Sequence, residues 1–371
     1  GGLLFYGVSC SSSDAASNFT HIPSSDSIVF RTIQIDTLEL KPPAFSGVGF
    51  LKLHNGRLYF FDKVFGVVNE FDLTGQFIKR GLGLGEGPAE VPSIMMYAPM
   101  GNKHFVLEKS WTFDIYDSTW HRIKRAGINW DDSKPLKELE NNPQPTDRGI
   151  YEIEYEVNNI LPLDSSRILL SITSDHPRFN GYFTPEFYSE ARIFGVLNTK
   201  TGKIERLVGE KSPMYGQYRF IPNFDFCYGE NLADSIMVNF EPDSLIYVYN
   251  PVFGKSVSFG RAGKDMAVSY PQTKQFDEAE NRIIADRETY GYYTRLKYLQ
   301  EKQLVFRSYK KGKDAASDGL QIYSADSKKL FGDIEVPKKF EVLGSDGDAF
   351  FATGIIDELN NRLAVFRFKL L

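Results

Sequence analysis

Short runs of alternating hydrophobic and polar residues, separated by turn residues, fill the chain from about residue 27 onwards. The most regular group consists of residues 48–53, 57–62, 66–72 and 76–80, with Asn55-Gly56 after the first run and Thr74-Gly75 before the last. Alternation with a period of two is typical of β-strands, and Asn-Gly between two such runs favours a tight hairpin, since both residues readily adopt positive φ. The group therefore predicts four consecutive antiparallel strands in about 35 residues, which is the repeat unit of a β-propeller blade.

The same cycle recurs with lower regularity along the rest of the chain. The further cycles cover residues 103–125, 167–207, 235–259, 303–334 and 340–370. Together with the first they make six cycles, at about 57 residues each, which is longer than common propeller repeats. We therefore expect an all-β protein with a single domain over residues 27–371: a six-bladed β-propeller of four-stranded antiparallel blades with a short helical insertion. Seven blades are the alternative.

The extra length lies in two insertions, and one strand lacks a local partner. Residues 131–158 are polar and interrupted by prolines, which predicts a surface loop. In residues 272–297, Phe276, Ala279, Ile283 and Ile284 have the spacing of one face of a short helix. The strand-like residues 27–35 have no hairpin partner nearby, so we expect them to complete the last blade and close the ring.

The composition supports a folded, β-rich protein and excludes some partners. The 371 residues include 30 Phe and 20 Tyr but only 6 Met, and aromatic side chains pack well on pleated sheets. The net charge of −5 argues against a nucleic-acid surface, which would need clustered positive charge. Beyond the N-terminus, no apolar run approaches the ~20 residues of a transmembrane helix.

The N-terminal residues resemble the end of a bacterial lipoprotein signal. An apolar run, Leu3-Leu4-Phe5-Tyr6-Gly7-Val8-Ser9, precedes Cys10, and a polar Ser-rich tract follows it. In such signals the cysteine thiol carries the lipid, so we expect residues 1–26 to hold a truncated lipoprotein signal and a flexible tether. With Cys10 lipidated, Cys227 has no disulfide partner and is expected to be a small buried residue.

Three further segments resemble one family. They are residues 58–75 (Leu58-Tyr59-Phe60-Phe61-Asp62 to Leu73-Thr74-Gly75), the glycine-rich residues 81–90, and residues 285–295. Together with the anchor they are similar to the six-bladed TolB-like or NHL-like propeller lipoproteins of Gram-negative, gut-type bacteria. The resemblance implies the propeller fold and a lipid-anchored place in the cell envelope, with the outer membrane as the expected site.

Positive charge recurs in the connections that follow outer strands. We expect these connections to gather at one end of the ring around the channel mouth, where their side chains would recognise an anionic group such as a carboxylate or uronate. Solvated loop charge is the simpler alternative. The candidate ligand-binding residues are Arg80, Glu86, Lys211, Arg219, Arg261 and Lys264.

No catalytic or cofactor motif marks the sequence. The glycine-rich residues 81–87 lack the Gly-Lys-Ser/Thr of a phosphate-binding loop, and the five histidines are scattered. No metal site or cofactor is therefore predicted, although a divalent cation such as calcium, held by oxygens from several blades, stays open.

These observations favour a lipid-anchored binding or scaffold module that takes a protein partner, an anionic small molecule or a glycan, and no nucleic acid. The alternative is a propeller hydrolase or lyase acting on glycans or lactones with a divalent ion in the channel. Several carboxylate or asparagine side chains converging in the channel would favour the enzyme. An apolar channel with a broad aromatic face would favour the binding module.

Overall fold

The structure is a computed structural model that describes residues 19–130, 134–217, 220–273, 275–313 and 315–371. Across these residues the strands form six blades of four-stranded antiparallel sheet arranged as a propeller, so the predicted fold class is confirmed and the seven-bladed alternative is wrong. The first described residue, Phe19, packs against the ring of Tyr247, with the ring centroids 4.8 Å apart.

The strands follow the chain in blade order. Two N-terminal strands come first: β1 Thr20–His21 and β2 Ile33–Leu40. Blade 1 holds β3 Gly49–His54, β4 Arg57–Asp62, β5 Val67–Phe71 and β6 Phe77–Gly81. Blade 2 holds β7 Met96–Met100, β8 Lys103–Leu107, β9 Thr112–Tyr116 and β10 Arg122–Gly127. Blade 3 holds β11 Glu152–Ile153, β12 Ile160–Pro162, β13 Arg167–Thr173, β16 Arg192–Asn198 and β17 Lys203–Glu210, with the small hairpin β14 Asp175–His176 and β15 Phe179–Asn180 between β13 and β16.

The remaining blades are equally regular. Blade 4 holds β18 Cys227–Leu232, β19 Ser235–Phe240, β20 Ile246–Tyr249 and β21 Lys255–Phe259. Blade 5 holds β22 Tyr292–Leu299, β23 Leu304–Lys310, β24 Asp318–Ser324 and β25 Leu330–Val336. Blade 6 holds β26 Val342–Asp346, β27 Ala349–Asp357 and β28 Arg362–Leu370.

The ring is closed by the N-terminal segment. β2 pairs antiparallel with β28, from Ile33 opposite Leu370 to Leu40 opposite Leu363, and becomes the outer strand of blade 6. The expected closure of the last blade by the N-terminal segment is thus confirmed. The closing strand begins a few residues later than the predicted run at residues 27–35. β1 adds a fifth strand to blade 4 by pairing in parallel with β21. Both additions cover strand edges that would otherwise be open.

The first strand of each blade faces the centre. Neighbouring first strands contact one another from β7 through β12, β18, β22 and β26 to β3. Each pairs within its blade on one side, so its other edge borders a central channel. Since strand direction alternates within a blade, the connections between blades and those between second and third strands share one end of the ring.

The spaces between blades are filled largely by aromatic side chains. Between blades 1 and 2, the rings of Phe61 and Tyr97 lie 4.3 Å apart, and Trp120 stacks on His104 at 3.9 Å. Gly81 makes room for Trp120, since a Cβ there would lie 2.4 Å from the indole ring. Trp111, by contrast, is 40% exposed. Cys227 is buried with a free thiol, as expected.

The helices among the described residues all lie at the end of the ring that carries the inter-blade connections. They are α1 Leu136–Asn141, α2 Phe187–Glu190 and α3 Phe276–Thr289, with 3₁₀ helices at Arg148–Ile150, Pro213–Gly216 and Pro222–Phe224. We call these elements over blades 3–5 the cap. The helix predicted at 276–284 is present and longer. The insertion at 131–158, expected to be a loop, contains α1, a 3₁₀ turn and β11.

Polar contacts hold α3 on the ring. Of its apolar positions only Ala279 is buried, while Phe276, Ile283 and Ile284 are exposed. The Asn223 amide instead donates to the Ala279 carbonyl and to the Asp286 carboxylate. The apolar spacing therefore identified the helix but not the contacts that fix it.

Candidate functional site

The central channel is the candidate site that the fold itself creates in the described part of the chain. It is a cavity of about 780 Å³ bordered by the first strands of all six blades. Its walls carry Lys52 on β3, Tyr97 on β7, Ile160 on β12, Glu230 on β18 and Arg295 on β22, and blade 6 contributes residues around Val342. Ligand pockets commonly have volumes of about 300–1,000 Å³, so this cavity has room for a small molecule.

Two ion pairs cross the channel between neighbouring blades. The Arg295 guanidinium of blade 5 donates from Nε to Glu341 Oε2 of blade 6 at 2.8 Å. On the same strand, Lys297 Nζ donates to Glu230 Oε1 of blade 4 at 3.1 Å. Residues 295 and 297 lie two positions apart on β22 of blade 5, yet their partners belong to the two blades on either side of it, blades 6 and 4. Both channel carboxylates are therefore already neutralised by cations.

A third pair lies where the cap meets the channel mouth. The Arg287 guanidinium of α3 donates two hydrogen bonds, of 2.7 and 3.0 Å, to the Glu241 carboxylate. It also lies 4.1 Å from the ring centroid of Tyr292. Burial raises the pKa of the Glu241 carboxyl, although Arg287 counteracts this. Two parallel bonds to a desolvated carboxylate hold the guanidinium in a fixed orientation.

Lys52 differs from Arg295, Lys297 and Arg287 because it has no acid of its own. Among the described residues, no hydrogen bond or ion pair engages its Nζ atom, and the nearest aromatic contact is the Phe50 ring, 6.0 Å away. Burial and, to a smaller extent, the neighbouring Arg295 and Lys297 lower the pKa of Lys52 to about 7. Glu230 and Glu341 act in the opposite direction but are committed to the other two cations.

The cap contains a second group of ionisable residues, around Lys211. Its ammonium is paired with Asp225 and lies 4.6 Å from the ring centroid of Phe187 and 5.3 Å from that of Tyr215. Burial raises the pKa of Asp225 despite this pairing. Burial also raises the pKa of Glu154 to about 7, and Asp225 adds to that rise. This group is enclosed and internally paired.

The predicted basic residues share one end of the ring but do not meet in the channel. Among those the structure describes, none lines the central cavity, and Arg219 lies outside the described residues. Arg80 donates to Asn69 and to the Ala44 carbonyl, and Arg261 pairs with Asp26 at 2.7 Å. Nothing in these contacts tests a role in ligand binding, so the basic rim stays a prediction.

The other three predicted residues of the rim also have local partners. Lys211 is the cap lysine that is paired with Asp225. Glu86 is ion-paired with Arg125 of blade 2. The backbone N–H of Lys264 donates to Asp333 at 3.2 Å. The glycine-rich segment around Glu86 forms a closed turn, in which the Gly87 N–H donates to Glu90 at 2.7 Å and the Val91 N–H donates to the Gly83 carbonyl at 2.8 Å.

The channel residues were missed because nothing local marks them. Lys52, Glu230, Lys297 and Glu341 lie far apart in sequence, and each resembles an ordinary polar position of a strand. One signal was present: the singled-out segment 285–295 contains Arg287, Tyr292 and Arg295, which all face the channel. A comparison of the first strands of successive cycles would have found the rest.

Within the described ranges, no group of three or more His, Cys, Asp or Glu side chains is arranged to hold a metal ion. In the same residues, no helix has both the length and the apolar character needed to cross a membrane. Cys10 lies outside the described residues.

Comparison with solved structures shows the fold. A member of the DUF4221 family from Bacteroides vulgatus ATCC 8482 superposes with a TM-score of 0.64 at 13% identity, over 91% of this chain and 98% of that one. A predicted exported protein of Bacteroides fragilis NCTC 9343 superposes with a TM-score of 0.56 at 12% identity, over 95% of this chain and 100% of that one. No protein-family model matches the sequence, and no curated protein matches it. At such low identity these likenesses establish a shared propeller architecture across nearly the whole chain.

Proposed function

We propose that this propeller is a binding module of the bacterial cell envelope whose ligand occupies the central channel. The observation that carries the proposal is the channel itself, a cavity of about 780 Å³ with charged side chains from blades 1, 4, 5 and 6 on its walls. Sites with a few fixed polar groups inside a rigid scaffold are typical of ligand recognition. The paired charges favour a polar occupant, and the additional Lys52 ammonium makes an anionic small molecule or glycan the best-fitting one.

The envelope location rests on two kinds of support. One structural neighbour is a predicted exported protein, and both neighbours come from Bacteroides. The sequence around Cys10 resembles a lipoprotein signal, which would attach the protein to the outer membrane through a lipid. The same proposal includes a relationship to the TolB-like or NHL-like propeller lipoproteins, which the sequence resembles.

The positively charged residues at the cap end would assist this function. Arg80 lies at the end of β6, and Arg261 and Lys264 lie in the connection between blades 4 and 5. Their positive charge would attract an anion towards the mouth in an otherwise acidic protein. A protein partner docking on the same end would use the same connections.

A channel-filling variant tests the proposed site. Leu343→Trp places an indole in the channel wall, whereas Leu359→Trp changes a position that is 97% exposed and serves as the matched control. In a thermal-shift screen of acidic sugars and divalent ions, we expect a ligand that raises the midpoint of the wild type and of Leu359→Trp but not of Leu343→Trp. Equal protection of both variants would place the ligand outside the channel. If the protein instead converted a glycan or a lactone in a reaction that requires a divalent ion, it would be an enzyme and not a binding module.

The anchor is tested separately on the full-length precursor. Cys10→Ala should abolish incorporation of labelled palmitate and move the protein from the membrane to the soluble fraction. Replacement of the neighbouring Ser11 by Ala is the matched control and should change neither. Continued lipid labelling or membrane retention of Cys10→Ala would contradict the anchor.

A further inference from the structure

Among the described channel residues, Lys52 is the cation, apart from the exposed Lys339, whose charge has no counterpart. It projects from β3 into the cavity, half-buried, and no described residue forms a hydrogen bond or an ion pair with its ammonium. Buried charges are normally paired, because an unpaired ion loses its hydration without compensation. An unpaired ammonium inside a ligand-sized cavity is therefore a place where an anion from solution would be stabilised.

The charged groups that act on the Lys52 ammonium come from the first strands of the neighbouring blades. β22 contributes Arg295 and Lys297, β18 contributes Glu230, and Glu341 precedes β26. Neither wall from blades 2 and 3 adds a charge, since β12 carries no titratable side chain and burial raises the pKa of the Tyr97 phenol. Together with protonated Lys52, these four groups sum to one net positive charge, which one negative charge on a ligand would balance. The other basic side chains on the cavity wall are Arg287 and Lys310, each paired with an acid, the exposed Lys339, and His54, whose pKa is lowered by burial.

We propose that the channel binds a sugar acid, a compact polar molecule with a single carboxylate, and that the Lys52 ammonium receives this carboxylate. This inference rests on the proposed function and deepens it by naming the ligand class. The walls combine polar side chains such as Thr294 and Asn231 with the Tyr292 ring and apolar side chains such as Leu161 and Leu343. A sugar ring matches this mixture, since it has hydroxyl groups at its edge and apolar C–H faces that can pack on an aromatic ring.

The proton balance of the site follows from the same arrangement. Burial and the neighbouring cations lower the pKa of Lys52 to about 7, so the empty site is only partly protonated at neutral pH. A carboxylate beside the ammonium favours the charged form and raises that pKa. Ligand binding is thus coupled to uptake of up to one proton, and the affinity falls as pH rises above 7.

The experiment is calorimetric titration with sodium glucuronate at pH 6 and pH 9, with glucose and octanoate as comparison ligands. We expect the wild type to bind glucuronate at least about tenfold more tightly than either comparison ligand at pH 6, and about tenfold or more less tightly at pH 9 than at pH 6. Lys52→Met should lose about tenfold or more in affinity. Lys52→Arg should keep the affinity and lose its pH dependence, because guanidinium stays charged. Lys103→Met, an exposed position on blade 2, should behave as the wild type.

Three results would overturn the inference: no saturable binding of glucuronate at about 10 mM, equal binding of glucose, or unchanged affinity in Lys52→Met. Tighter binding of octanoate would likewise reject the sugar acid in favour of an aliphatic carboxylate. The proposed function is judged independently. A ligand of any other class that protects the wild type but not Leu343→Trp would leave the channel as the binding site, while the assignment to a sugar acid would fall.

Discussion

The ammonium of Lys52 lies inside the ring, with two other cations close enough to act on it and both neighbouring carboxylates engaged elsewhere. Keeping it protonated at neutral pH costs free energy, because burial and the cations oppose the charge. Such groups are most often found where a ligand supplies the missing partner, since function can require an arrangement that stability alone does not favour. Removing the charge should therefore help folding while it harms binding.

Lys52→Met should stabilise the protein. The pKa of Lys52 is lowered in the folded state, so the unfolded chain binds more protons between about pH 7 and pH 10, and wild-type stability rises with pH in that window. At pH 6 we expect the variant to gain about 1–3 kcal/mol in the free energy of unfolding, and the gain should vanish near pH 10. Denaturant unfolding at both pH values measures this, with Lys103→Met as control. A loss of stability at pH 6 would contradict it.

Glu154→Gln should stabilise the protein with the opposite pH dependence. Burial raises the pKa of Glu154 to about 7, so the folded state binds the additional proton between about pH 4.5 and pH 7 and the ionised form is disfavoured above that range. The variant should be close to the wild type at pH 4 and exceed its unfolding free energy by about 1–2 kcal/mol at pH 8. Glu288→Gln, at an exposed position on α3, is the control. Equal effects at both pH values would refute the assignment.

At the scale of single elements, the sequence predicts those strands and helices whose stabilising contacts are local. The Asn55-Gly56 hairpin is fully local, so its pattern predicted β3 and β4 at the observed places. The helix at α3 was predicted from spacing for the same reason. The short elements between residues 134 and 158 were not, because β11 exists only through pairing with β13, about twenty residues later. Local patterns cannot report a partner that lies elsewhere in the chain.

Gly81→Ala tests the closeness of blades 1 and 2. An added methyl group would lie 2.4 Å from Trp120 Cδ1, and the indole is nearly fully buried, so it has little room to move. We expect a loss of about 1–3 kcal/mol in unfolding free energy. Gly127→Ala is the matched control, because nothing lies within 4 Å of its added Cβ. Equal stability of the two variants by denaturant unfolding would show that this inter-blade contact is not tightly packed.

The whole molecule depends on contacts between residues that are distant in sequence. The blade count and the closure were predictable because each blade is a local repeat and the N-terminal strand had no local partner. The composition of the channel was not, since a ring brings six distant strands to one axis and sequence spacing carries no trace of that convergence. The basic rim was predicted from the connections between strands, which can be recognised in the sequence. Lys52 lies within a strand, where a polar residue carries no such signal.

Deleting residues 1–40 should abolish the cooperative fold of the ring. The deletion removes β2 and exposes the edge of β28 along the eight pairs from Ile33–Leu370 to Leu40–Leu363. We expect a markedly lower thermal midpoint and aggregation through the open edge. Deleting residues 1–18 is the control and leaves every described contact in place. An unchanged midpoint after the longer deletion would show that β2 is dispensable for closure.

The most direct test of the channel as an anion site is a crystal structure of the protein with glucuronate at pH 6. The account predicts the sugar within the ring and its carboxylate about 2.7–3.0 Å from Lys52 Nζ, with the Arg295–Glu341 and Lys297–Glu230 pairs retained. A channel that holds only solvent, or a sugar bound elsewhere on the surface, would contradict it.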